Sequence, residues 1–223
     1  MDFGLAFSFP FQDEKWVTKL LIAAGLSLIP VIGQIVVLGW SLEITRRVIQ
    51  GNPEPLPDWS DFGGYLMLGL KGLVVGFVLS LPMILFGILY GVGTGVVASA
   101  MDPDAGATVA SLLSICFACF AFLYGLVIAV GAPAAMGILA ATDQIGAALS
   151  PGSILAHFRA AVGPYIIAIL GVWVVFGIVG PLGIIACGIG LFVTQAYAFV
   201  VSGHLYGQAY NAATAAGAGS PVM

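Results

Sequence analysis

Long apolar runs alternate with short polar interruptions along this chain, and their spacing predicts helices that cross a membrane. A hydrocarbon core of about 30 Å takes about 20 consecutive apolar residues to cross as a helix. Residues 72–99, 109–132 and 182–202 reach that length with no Asp, Glu, Lys, Arg or His in their interiors. Residues 165–179 form a shorter uninterrupted run that ends at Gly180-Pro181, where a turn straight into the last run is expected.

The first apolar region is less regular. Residues 17–29 and 31–40 are apolar, with Pro30, Gly33 and Gln34 around the junction. Proline removes a backbone hydrogen bond and glycine loosens the following turn. Two readings fit: one long kinked span, or a re-entrant hairpin of two half-helices. The basic residues favour the second. They are Lys15, Lys19, Arg46, Arg47, Lys71 and Arg159, and only a hairpin puts all of them on one side, as cytoplasmic enrichment of basic residues requires. Both termini are then expected on the cytoplasmic side of a cell membrane.

Two further segments have the composition of helices lying in the inner interface. Residues 58–71 follow a proline-rich turn and carry Trp59 and Tyr65. Residues 150–161 begin Ser-Pro-Gly and carry His157 and Arg159. Asp58 and Ser150 are candidate N-caps. The expected fold is all-α: a polytopic transmembrane helical bundle of about four full spans, an N-terminal broken or re-entrant hairpin, and two interfacial amphipathic helices. Residues 1–14, with Phe3, Phe7, Phe9 and Phe11, are expected to form an apolar interfacial arm. Residues 15–210 form one transmembrane domain, and residues 211–223 a flexible tail.

Composition agrees. Hydrophobic residues make up 61% of the chain and charged residues 7%, against about 25% charged in soluble domains. That is too few charges to coat a water-facing surface. With a net charge of −4 and no basic stripe, nucleic acid is excluded as a partner.

Several segments together resemble the prokaryotic family of polytopic membrane proteins called domain of unknown function 4013. They are Trp16-x-x-Lys19-Leu-Leu, Ile29-Pro-Val-Ile-Gly33, Arg46-Arg-Val-Ile-Gln-Gly51, Pro55-Leu-Pro-Asp-Trp59 followed by Asp61-Phe-Gly63, Gly69-Leu-Lys71 and His204-Leu-Tyr-Gly-Gln208. The resemblance runs from about Phe9 to Tyr210. It implies a multi-pass prokaryotic membrane protein and no particular activity.

Candidate chemistry is sparse. Gly87, Gly91, Gly95 and Ser99 share one helix face, where small side chains let a second backbone approach. Internal packing is the favoured reading and self-association the sharper one, with Ser111, Ala118, Gly125 and Ala132 as the expected partner stripe. Cys116 and Cys119 sit among Phe, Ala and Leu without a nearby charge, so they are expected as small buried packing residues, and Cys187 likewise. Arg46, Arg47, Lys71, His157, Arg159 and His204 are candidate contacts for lipid headgroups. Gln34 and Gln195 are the candidate polar intramembrane site, although hydrogen bonds to neighbouring backbone are their commoner role. No span carries Asp, Glu, Lys, Arg or His at its centre, which argues against proton pumping and ion-coupled transport. No catalytic motif, metal site or cofactor is expected. The favoured function is a non-enzymatic structural, assembly or lipid-interacting membrane component. The alternative is a transporter or channel for a small neutral solute or lipid. Membrane lipids are the expected partners, with other membrane subunits or a second copy of the chain as further candidates.

Overall fold

The computed structural model describes all residues except Pro53, Pro55, Cys187 and residues 219–223, so the expectation for Cys187 and the end of the tail lie outside the described residues. Among the described residues there are helices and turns and no strand. The helices are α1 (Phe3–Ser8), α2 (Trp16–Ser27), α3 (Ile32–Gln50), α4 (Phe62–Ala100), α5 (Pro103–Thr142), α6 (Pro151–Ala160), α7 (Val162–Ile185) and α8 (Gly190–Ala215), with shorter turns between them. The chain divides into two compact units. A helical body comprises Met1–Val75 and Val130–Met223, and a hairpin comprises Gly76–Ala129.

Three helices, α4, α5 and α7, are long and apolar enough to cross a membrane. The 39 residues of α4 and 40 of α5 correspond to about 60 Å of helix each. In the segment expected as a separate interfacial helix at 58–71, residues 62–71 are instead the opening of α4. No proline lies between Phe62 and Pro82, and Pro82 itself does not end the helix. Asp61, not Asp58, accepts from the first turn, through the Gly64 N–H at 2.9 Å. The second of the two segments expected in the interface does form a separate helix, α6. Ser150 caps it through the Ser153 N–H, and Pro151 stands at the position where a missing N–H costs nothing.

The broken first region is a helical hairpin. Val31 has φ 66° and ψ −68°, and the Ile32 N–H reaches the Pro30 carbonyl at 2.8 Å. That is a γ-turn of the rare, strained kind. The two helices leave it so close together that a β-carbon on Gly33 would fall 1.8 Å from the Leu26 carbonyl oxygen. Further along, Leu20 and Ala23 of α2 share one buried cluster with Val36, Val37 and Trp40 of α3.

The last two helices form a second hairpin in the body. The turn expected at Gly180-Pro181 is displaced to Gly188, whose φ is +82°. Proline lacks the N–H for the next helical bond and its ring crowds the preceding turn. The chain accommodates Pro181 by widening to a π-helix over Val175–Val179 and continues to Ile185. The run expected at 182–202 is therefore divided between two helices. α8 then returns antiparallel to α7: the Thr194 hydroxyl donates to the Gly180 carbonyl at 2.8 Å, Phe199 meets Phe176, and Leu205 lies against Gly171. α8 is the centre of the body, with Ala196, Val200, Val201, Leu205 and Ala209 fully buried. It stays helical to Ala215, into the stretch expected as a tail.

The N-terminal residues are docked on the body. Asp2 caps α1 at the Leu5 N–H, Ala6 is fully buried, and the Tyr197 hydroxyl donates to the Phe7 carbonyl at 2.8 Å. Phe3, Leu5 and Phe11 remain exposed.

Candidate functional site

The charged and polar residues singled out in the sequence gather in the body, and most are bound to one another. The first cluster centres on Lys19. Its ammonium lies 2.8 Å from Asp13, 3.0 Å from Asp58 and 2.7 Å from the Leu56 carbonyl. Burial works to lower the Lys19 pKa, but the two carboxylates overcome it and hold the group above its ordinary value. The loop holding Leu56 and Asp58 is fixed from the other side by indoles. Trp40 Nε1 donates to the Pro57 carbonyl, Trp59 Nε1 donates to the Lys19 carbonyl, and the two rings stack 4.9 Å apart. Much of the motif at residues 55–59 thus fastens α2, α3 and the start of α4. The cluster borders an open cleft of about 360 Å³ that also includes Glu14, Lys15 and Glu54.

The second cluster joins α3, α4 and the end of α5. Arg46 bonds Glu43 and Asp143, and its Nε donates to the Ala140 carbonyl at 2.9 Å. Lys71 bonds the Asp143 carboxylate and also its carbonyl. Two cations therefore close the carbonyl-rich end of α5, where positive charge is favoured. Asp143, with φ +59°, turns the chain there. Burial raises its pKa, but Lys71 and Arg46 hold it below the usual carboxylate value. Arg47 pairs with Glu43 and Glu54. Of the six candidate headgroup contacts, Arg46, Arg47 and Lys71 are thus already engaged within the chain. Arg159 is exposed and has no ion-pair partner among the described residues.

The two histidines are buried rather than exposed to headgroups. His157 donates from Nδ1 to the Ser153 carbonyl and stacks on Tyr210 at 5.1 Å, while its Nε2 has no partner among the described residues. His204 lies against Phe9 with the ring centroids 4.1 Å apart and the planes tilted by 41°, and it accepts at Nδ1 from the Gln208 amide. Gln208 also grips both backbone groups of Asp2, at 2.7 and 3.0 Å. The polar role of the stretch at 204–208 is to hold the N-terminus. Asp2 and Gln208 are 206 residues apart, and nothing in the local pattern marks them as partners.

Gln34 donates to the Ser27 carbonyl at 2.8 Å, a carbonyl freed by the break at Pro30. Among the described residues no hydrogen bond joins it to Gln195.

In the hairpin, the packing face differs from the expected one. Phe86 lies 4.1 Å from Phe120, Tyr90 stacks on Phe117 at 4.6 Å, and the Tyr90 and Ser114 hydroxyls bond at 2.9 Å. A β-carbon on Gly91, Gly95 or Gly125 would meet nothing within 4 Å, and Gly87 only grazes Phe117. The expectation that the Gly87–Gly91–Gly95–Ser99 face packs internally is corrected: aromatic rings wider than any small-residue seam hold the two helices together, which turns those glycines outward. Cys116 and Cys119 are likewise exposed rather than buried.

Long apolar helices, ion pairs that among the described residues lie in the body alone, and bare apolar faces define the chain as a helical membrane protein. Residues 22–188 match the model of a family described as a protein of unknown function, DUF4013. The chain belongs to that family. The matched region includes both ion-pair clusters except for Asp13 and Lys19, and it stops short of the stretch at 204–208. No curated protein and no solved structure matches the chain.

Proposed function

We propose that the chain is a non-enzymatic, multi-pass component of a prokaryotic cell membrane, with both termini cytoplasmic, that acts by binding lipid and assembling with other membrane proteins. The observation that carries this reading is the use of its polar groups. Arg46, Arg47, Lys71 and Lys19 lie in ion pairs within the chain, and Gln34 holds a backbone carbonyl. Groups committed in this way hold a scaffold and leave few for chemistry. The large apolar faces of the hairpin and of α7 are what the protein offers to its surroundings.

Purification of the full chain from its native membrane in mild detergent, with mass spectrometry of the eluate, tests the reading. A stoichiometric membrane-protein partner, or a retained lipid class, is the expected result. A chain that arrives alone and passes a neutral solute across liposomes, with flux abolished by Gln34→Leu, would replace it with the transporter reading.

A further inference from the structure

The helical body carries charge at a fixed, short distance from an exposed apolar end. α3 runs parallel to α8: the Ser41 hydroxyl donates to the Phe199 carbonyl at 2.7 Å, and Asn211 donates to the Val48 carbonyl at 3.0 Å. The turn after α2 and the turn after α7 therefore stand side by side at one end of the body. That end is bare. Val31 is 69% exposed, Ile185 83% and Ile189 72%, and Leu28, Ile29, Ile32, Leu182 and Ile184 are exposed with them.

Charge begins soon after. Eight residues separate Ser27, at the end of α2, from Lys19, which is about 12 Å of helix. Eleven separate Ile32 from Glu43, about 17 Å. Around Lys19, Asp58 and Glu54 have side chains 70% and 76% exposed. On the α8 side, Tyr197 is only seven residues from Gly190, and its ring stacks on Phe11 at 5.9 Å, two residues from Asp13. Were the apolar end to emerge on the far side of a hydrocarbon core about 30 Å thick, this exposed ionic cluster would sit near its centre. Ionised groups there are costly unless they face a cavity or the protein interior.

We infer that the α7–α8 hairpin, like α2–α3, enters one leaflet only and turns back near the bilayer midplane. α7 is long enough to cross but does not. At about 36 Å for 24 residues it is longer than one leaflet is deep, so the exposed Phe176, Ile178 and Leu182 face acyl chains, Trp173 lies at the interface, and the stretch toward Val162 leaves the hydrocarbon. The occupant of the apolar end is hydrocarbon from both leaflets, and the body acts as a wedge in the cytoplasmic one. This rests on the membrane reading above but not on the proposed assembly role.

The test uses the full chain in sealed vesicles, with Cys116, Cys119 and Cys187 replaced by serine. Single cysteines are placed by Ile189→Cys, Leu28→Cys and, as a reference outside the bilayer, Arg159→Cys. Membrane-impermeant maleimide is applied to each side, and nitroxide labels report depth from the ratio of oxygen to nickel-chelate collision rates. The inference expects Arg159→Cys to react from one side and the other two positions to resist from both, with depth readings near the midplane. Reaction of Ile189→Cys from the side opposite Arg159→Cys would show that α7 crosses and would overturn it. Reaction at Ile189→Cys and Leu28→Cys from the same side as Arg159→Cys would place the body outside the hydrocarbon, overturning it equally. Loss of the protein from the vesicles on alkaline washing would reject the membrane reading itself.

Discussion

Glycine has opposite uses in the two units. In the body, α3 and α4 touch backbone to backbone: a β-carbon on Gly39 would fall 1.8 Å from the Tyr65 carbonyl oxygen, and one on Gly69 1.9 Å from that of Ile35. In the hairpin, Gly91 and Gly95 face open space, and the helices are held apart by packed aromatic rings. Small residues permit close approach but do not require it. What decides is whether a bulky residue shares the facing stripe.

The sharpest way to break this comparison is to add one methyl group to each unit. Gly39→Ala drives a carbon into a carbonyl oxygen that cannot move without shifting α4. We expect a loss of about 3 kcal/mol or more, seen as a collapse of the thermal transition in detergent. Gly91→Ala should change stability by less than about 1 kcal/mol, in the stabilising direction, because alanine is the better helix former. Equal damage from both would mean that the hairpin glycines have a partner.

Charge separates the units as well. Every ion pair among the described residues lies in the body. Lys19→Met strands the Asp13 carboxylate, whose side chain is only 10% exposed, and frees the loop at Leu56. Breaking a buried pair from one side costs about 3 kcal/mol. Adding Asp13→Asn should restore part of that loss, measured as melting temperature of the single and double variants. No recovery would show that the lysine acts through the Leu56 carbonyl instead.

The helical class and the apolar runs were legible in the sequence because lipid exposure requires long uncharged stretches. The break at Pro30 was legible too, since proline and glycine act locally. The packing face of the hairpin was not. Four small residues at four-residue spacing give a clear stripe, while the seam that packs, through Phe86, Tyr90, Phe117 and Phe120, is hidden among many equally apolar residues. The pairing of Arg46 and Lys71 within the chain was hidden for a related reason. Arg46 and Lys71 meet Asp143 across 97 and 72 residues, and a pairing at that distance leaves no periodic trace. Gln34 was the exception: its partner, Ser27, is seven residues away, and the break between them announces a free carbonyl.

Within the hairpin, one polar contact adds to the aromatic seam. Tyr90→Phe removes the bond to Ser114 and keeps the ring stacked on Phe117. Interhelical hydrogen bonds in membranes average about 0.6 kcal/mol, so the melting temperature should fall only slightly, while Phe86→Ala should lower it several times further. A reversed order would make the hydroxyl, rather than ring packing, the principal tie.

The smallest effect expected is the response to acid, which should belong to the body alone. Asp143 and Asp58 are both held below the ordinary carboxylate value of 3.8. Burial of Asp143 pushes the other way but is outweighed by Lys71 and Arg46, and Asp58 is lowered chiefly by its bond to Lys19. A carboxylate depressed in the folded state contributes stability above its unfolded pKa and loses it as pH falls through the folded one. The melting temperature should therefore hold above about pH 4 and decline below it. The Asp143 side chain is 52% exposed, and exposed pairs contribute only a few tenths of a kcal/mol to about 1, so the decline is shallow. Asp143→Asn should lower stability at neutral pH and flatten the acid limb. An unchanged acid limb in that variant would mean that the Arg46 and Lys71 clasp leaves α5 no more secure than its helical bonds alone do.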